Sequence, residues 1–334
     1  MGREGSEVSV KIAEALHPLW SLWHKERYLF ARRPLFVTPP WLDAWKRTLG
    51  QNESLCLLMA YGAFGADGYL ALKLCDTEGL FAGDPEVCDY FDVVIRPGRE
   101  EAVWRAMLQS AGQAGLKTLN LFPVRPTSTV MTHGVPLGRA LGYAVSVESI
   151  DVTVEMPLAP SWEGYLQSLN GKQRHEVRRK MRRLEEAGQV DYRVVSTPSE
   201  LEQALEVFFH LFQSNRDDKA RFLTPAIRTY METLCHTMGR EGLLRLSFLH
   251  LNGSPAASAL CFDDGETVYL YNNGYDAAFA PLSVGLMQTL FTIKDAAERG
   301  RTRYEFLRGD ETYKFRLGGQ EVPLYRVHIS LDAA

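Results

Sequence analysis

Residues 243–285 read LLRLSFLHLNGSPAASALCFDDGETVYLYNNGYDAAFAPLSVG. Three apolar, strand-like runs stand in this stretch: Leu243–His250, Ala256–Phe262 and Thr267–Tyr271. Asn252-Gly253 and Asp264-Gly265 separate them. Such dipeptides are the strongest short-range hairpin signals. Strands joined by turns that tight pair antiparallel, which disfavours a doubly wound parallel sheet. The stretch ends in a second signal. A polar turn, Asn272 to Asp276, leads through Pro281, Leu282, Ser283, Val284 and Gly285 into a helix expected over Val284–Glu298. The first turn of a helix exposes backbone N–H groups at the positive end of its dipole, which suits a pyrophosphate. Ser283 would cap this helix, and Gly285 would let a ligand approach the backbone. The plainer reading is an ordinary capped helix, and strand, turn and helix alone do not exceed it.

Working outward, helix is expected over Ser161–Ala187 with a break near Gly171, then a strand at Val190–Val195. Further helices are expected over Pro198–Gln213 and Pro225–Met238. Strands at Arg303–Leu307 and Val322–Leu331, with a short helix between, complete the second half. The first half shows strands at Leu55–Ala60, Tyr69–Leu74, Phe91–Ile95 and Lys117–Val124, and a helix at Arg99–Ala114. Residues Arg125 to Gly138 read as a loop, and Tyr143–Met156 as a long strand. Met156–Pro160 reads as a linker, which sets domains at 1–156 and 157–334. The whole is an α/β fold with mixed sheets.

Composition agrees with two ordinary cores. The chain has 334 residues, net charge −4 and 11% aromatic residues, which excludes global disorder. Five cysteines in no C-x-x-C pair give neither a zinc framework nor a disulfide scaffold, and suit a reduced, cytoplasmic protein. No metal is expected. The N-terminus lacks an apolar signal region, and the longest apolar run, Leu55–Tyr61, is too short to span a bilayer. Gly2 and Ser6 match the N-myristoylation pattern, but no polybasic run follows.

Two further segments gather chemistry. From Lys172 to Glu186 seven basic residues stand against three acidic ones. Leu166, Leu169, Val177, Met181 and Leu184 can form an apolar stripe at helical spacing beside them. The run is either a solvated helix face or a phosphate-binding surface, with Lys172 and Arg174 at its start. The other segment, Tyr304 to Arg316, crowds Arg308, Gly309, Asp310, Glu311, Tyr313 and Lys314 at the end of a strand carrying Glu305. Polar groups gathered where a strand leaves its sheet are favoured site positions, although a charged turn would look the same. Other motifs fail. His175-Glu176 lacks the second His of a zinc-protease helix, Leu166 replaces the upstream Gly of a P-loop, and Pro281 replaces the first Gly of a nucleophile elbow. His250 and His328 lie on expected strands and are the two histidines to inspect.

Taken together, Ser168, Leu169, Lys172, Arg174, Val177, Arg182, Arg183, Leu184, Glu185 and Gly188, then Tyr271 to Asp276, Leu282 to Gly285, and Phe306 to Lys314, form an ordered set. The set resembles the acetyltransferase-like proteins of bacterial exopolysaccharide and cellulose gene clusters. These belong to the GNAT superfamily and are similar to Fem-type peptidyltransferases, which use aminoacyl-tRNA. The resemblance covers residues 161–319; Phe36, Pro39, Trp41 and Trp45 add to it more weakly. It implies a tandem GNAT-like acyl-CoA N-acyltransferase fold with a degenerate N-terminal half. It implies donor phosphate at Leu282, Ser283, Val284 and Gly285, and an acceptor facing the segment Arg308 to Lys314. Tyr275 and Asp276 are also expected to bind substrate, and Arg308 and Lys314 to hold phosphate or an acidic acceptor. Glu305 stands where the family often has Asp.

For amide-forming transfer, Asp310 first and Glu305 second are expected to orient or deprotonate the amine, and Tyr313 to protonate the leaving group. The expected donor is acyl-CoA, acetyl-CoA foremost, and the acceptor a small-molecule, saccharide or peptide amine. Aminoacyl-tRNA is the alternative donor, with tRNA phosphates on the basic helix. A non-catalytic binding protein with a decayed fold is the third reading.

Overall fold

The computed structural model describes residues 8–30, 34–214 and 217–332. These fall into two compact units, Met1–Val152 with Val322–Ala334, and Thr153–Glu321.

The first unit holds β1 (Ser9–Ala13), α1 (His17–Lys25), α2 (Pro39–Lys46), β2 (Ser54–Gly62), β3 (Gly65–Cys75), β4 (Glu78–Phe81), β5 (Val94–Ile95), α3 (Glu100–Gln113), β6 (Thr118–Val124) and α4 (Val135–Ala140). It also holds the first part of β7 (Val145–Pro157). Pairing runs β1-β2-β3-β4-β6, antiparallel except for the parallel β4–β6 pair. Trp41, Trp45 and Trp104 are fully buried, so the aromatic pair at 41 and 45 serves the core. Residues 125–138 are not the loop expected. A π-helical turn, Val130–Gly134, leads into α4. The Asp92 carboxylate fastens its start, accepting from Thr129 N at 2.8 Å and Thr129 Oγ1 at 2.7 Å. Pro136 falls in the first turn of α4, where a missing N–H costs nothing. The same carboxylate accepts from Val93 N, and the expected strand at 91–95 shrinks to Val94–Ile95.

The second unit starts on the last residues of β7. It continues through α5 (Trp162–Ser168), α6 (Gly171–Glu186), β8 (Val190–Val194), α7 (Pro198–Ser214), α8 (Asp217–Phe222), α9 (Pro225–Arg240), β9 (Leu244–Leu251), β10 (Ser254–Asp263), β11 (Thr267–Tyr275), α10 (Val284–Glu298), β12 (Arg303–Arg308) and α11 (Thr312–Arg316). Strand order is β7-β12-β11-β10-β9-β8. The three strands read from residues 243–275 pair antiparallel, and Asn252 and Gly253 both take positive φ, as a two-residue hairpin of this type requires. β12 joins β11 in parallel, so the sheet is mixed. The expected linker is partly strand: Met156 and Pro157 pair with Tyr304 and Arg303. The last strand, β13 (Gln320–Ser330), pairs with β6, which returns Val322–Ala334 to the first unit instead of leaving it with 157–334.

The helix expected over 161–187 is two helices. Ser161 Oγ caps α5, accepting from Gly164 N at 3.1 Å. Asn170 and Gln173 form a reciprocal capping box that restarts the chain as α6. Val177 and Leu184 of α6 join Met287, Leu290 and Ile293 of α10 and Tyr304 and Phe306 of β12 in one core. α7 presses on β11 at Gly274, where a Cβ would lie 2.4 Å from Phe212 N. Among the described residues, no helix is long and apolar enough to cross a membrane.

Candidate active site

The turn between β11 and α10 is built by short-range bonds. Asp276 Oδ1 accepts from Ala278 N at 2.9 Å and opens a 3₁₀ turn, Ala277–Leu282. Asp276, expected to bind substrate, caps this turn. Ser283 then takes a left-handed conformation, φ +57°. Its hydroxyl makes no cap bond to α10, contrary to the expected role. Instead it accepts from Lys180 Nζ at 2.7 Å. The N–H groups of Val284, Gly285 and Leu286 form the first turn of α10 and have no acceptor within the helix. Gly285 is required by a side chain: a Cβ there would lie 2.8 Å from the Tyr275 ring. Tyr275 thus packs where a side chain at Gly285 would stand, and Gly285 itself remains a wall of the cavity.

A cavity of ≈ 400 Å³ opens at this turn, with Lys219, Asn273, Tyr275, Ser283, Gly285 and Tyr313 among its walls. Lys219 comes from α8, a helix not expected from sequence. Its Nζ donates to Asn273 O at 2.5 Å and Asn273 Oδ1 at 3.0 Å, and lies 5.0 Å from the Phe212 ring centroid. Tyr313 comes from the first turn of α11, its ring edge-on to Phe306.

Lys180 and Lys219 are the cationic groups that sequence reasoning missed. The signal for Lys180 was present: it lies three residues from Val177 and four from Leu184, on the flank of the apolar stripe. Lys172 and Arg174, chosen instead, stand at the other end of α6. At ~1.5 Å per residue, Lys172 lies about 12 Å along α6 from Lys180. Neither lines the cavity. Much of the remaining basic run is paired. Arg179 makes two bonds of 2.8 Å to Glu176 and holds its carboxyl below the usual range, and Arg178 reaches Glu163 at 2.9 Å.

The segment after β12 divides. Glu305 is 1% exposed within the sheet and Asp310 is exposed, and neither is a wall of the cavity. Arg308 is half-buried. Lys314, expected to meet the acceptor, is only 2% exposed. Its ammonium donates to the carbonyls of Leu307, Arg308 and Gly309. His250 lines a separate cavity of ≈ 230 Å³ beside β8 and α7, and His328 lies on β13. Among the described residues, no group of three His, Cys, Asp or Glu is placed to hold a metal ion.

Residues 171–315 match the family described as acetyltransferase (GNAT) domain. The chain is similar in structure to FemX, with 13% identity over 95% of this chain and 96% of FemX, and a TM-score of 0.66. It is also similar to a conserved protein of unknown function from Bacteroides thetaiotaomicron VPI-5482, with 14% identity, coverage of 96% and 99%, and a TM-score of 0.63. L-PGS from Bacillus licheniformis shares 12% identity over 93% of this chain and 92% of its own, with a TM-score of 0.57. No curated protein matches the sequence. The fold is thus a mixed α/β, tandem GNAT-like one. The acetyltransferase match over residues 171–315, on this fold, supports a transferase.

Proposed function

We propose that this transferase moves an acyl group from acyl-CoA, acetyl-CoA foremost, to an amine acceptor. The observation that carries this reading is the cavity at the start of α10, with a lysine from α8 and a phenol among its walls and a lysine from α6 bonded to Ser283, itself a wall. Free N–H groups and an ammonium at one point suit a pyrophosphate. Leu282, Ser283, Val284 and Gly285 supply the turn, and Lys180 the charge. Lys172 and Arg174, nearer the start of α6, would meet an outlying phosphate. The motif order supports a place near the exopolysaccharide-cluster acetyltransferase-like proteins.

In the transfer, a neutral amine attacks the thioester carbonyl; the C–N bond forms and the C–S bond breaks. The proton leaving the amine passes to a carboxylate, Asp310 directly or through water. The Tyr313 phenol gives its proton to the departing thiolate and regains one from solvent. Glu305, buried in the sheet, is the second choice of base. Tyr275 and Arg308 bound the acceptor side. The protein's share is positioning and charge stabilisation.

A second reading has its own observation. Lys172, Arg182 and Arg183 form an exposed basic face on α6, and the fold is shared with FemX. An aminoacyl-tRNA donor would use that face for its phosphates. A decayed, non-catalytic fold is disfavoured by the open cavity. Thermal unfolding with millimolar CoA or acetyl-CoA tests the first reading. A ligand at 100 times its Kd stabilises by about 2.7 kcal/mol, a rise of a few degrees. No rise, with tRNA binding that weakens steeply with salt, would select the second.

A further inference from the structure

The turn after β12 is unusual in its backbone. Leu307 has φ +63° and Gly309 φ +99°. A left-handed leucine is strained and persists only where surrounding structure over-determines it. The carbonyls of residues 307, 308 and 309 all reach one atom, Lys314 Nζ, at 3.0, 2.6 and 3.1 Å. Glu311 Oε2 approaches the same atom at 2.8 Å. An ammonium has three N–H donors and no acceptor, so it is a fitting centre for a ring of carbonyl oxygens. Burying it among apolar groups alone would be costly, and the oxygens offset that cost. Lys314 thus fills the ring that these oxygens form.

Lys314 also adjoins Tyr313 within the five-residue α11. That helix is held from its far side. Gln173 Nε2 donates to Phe315 O at 3.1 Å, and Tyr165 OH to Leu317 O at 3.0 Å. Burial pushes the Tyr165 phenol pKa up, which keeps it a donor. One buried cation thus joins the turn bearing Asp310 to the helix bearing Tyr313, without itself lining the cavity.

We propose that Lys314 is a positioning residue for the transfer, fixing the turn at 307–309 and through it the Asp310 carboxylate and the Tyr313 hydroxyl. The catalytic half of this inference rests on the function proposed above; the structural half does not. Amide hydrogen exchange on Lys314→Met reads the structural half. Exchange at residues 307–313 should quicken about tenfold or more while α10 keeps its protection. Unchanged protection would overturn the proposal. Acetyl-CoA hydrolysis, which needs no amine, reads the catalytic half. Lys314→Met should lower kcat about tenfold or more with KM for acetyl-CoA within about twofold. Lys314→Arg keeps the charge but not the compact ammonium, and should recover only part of kcat. A raised KM with kcat unchanged would mean that the ammonium touches the donor, and would overturn the positioning role. If Lys314→Met does not fold, Gly309→Ala perturbs the same turn and takes the same readouts, because φ +99° strains any residue that carries a Cβ. A wild-type protein that never turns over acetyl-CoA counts against the acyl-CoA reading, and the exchange result alone then decides this one.

Discussion

Ser283 shows how one residue changes its work between sequence and structure. In sequence it is a helix cap; in the fold its left-handed backbone turns the hydroxyl to Lys180. That contact spans 103 positions of chain, so no local pattern could show it. Lys180→Met should weaken CoA binding about tenfold, or ~1.4 kcal/mol, with little change in the unliganded melting point. Unaltered CoA stabilisation in that variant would remove Lys180 from the donor site. At the chemical end, Tyr313→Phe and Asp310→Asn should each slow turnover by about a hundredfold in a folded protein. Initial rates at saturating acetyl-CoA check this, and full activity in both variants would end the assignment.

Among the elements, α10 was legible to its ends, because a turn signal precedes it and Gly300 follows it. The break between α5 and α6 was legible near Gly171, and Asn170 and Gln173 explain it. Asn170→Ala should cost about 1 kcal/mol of stability through the lost capping box, read as a lower melting point. α8 was not legible, since six residues are too few to show a helical period. Its Lys219 entered the site unannounced. Two glycines now have distinct packing roles. At Gly285 the obstacle is the Tyr275 side chain, which can rotate, but only by moving a wall of the cavity. Gly285→Ala should therefore cost about 1–3 kcal/mol and weaken CoA binding as well. At Gly274 the obstacle is the backbone of Leu211 and Phe212, which cannot rotate away. Gly274→Ala should be the more damaging of the two in thermal unfolding.

For the whole molecule, the division of the chain follows strand pairing more than composition. Cutting at 156/157 would remove Thr153–Met156, the β7 residues paired with β12, and would separate β13 from β6. Both strands would be left with bare edges, which promote aggregation. A fragment of residues 157–334 should be insoluble or lack cooperative unfolding by circular dichroism. A soluble fragment that melts cooperatively would show that the second unit needs neither partner strand.

The sequence by itself determined the mixed α/β class, the antiparallel order of β9, β10 and β11, and the position of α10. Those features rest on turn chemistry and apolar periodicity, which act over a few residues and are written locally. Only the tertiary structure decided which charges meet the α10 turn. It brought Lys180 and Lys219 there, left Lys172 and Arg174 at the far end of α6, and buried Lys314 beneath the turn that carries Asp310. A lysine looks the same in sequence whether it faces solvent, a ligand or three carbonyls. Its surroundings are fixed by helices and strands packed from distant parts of the chain.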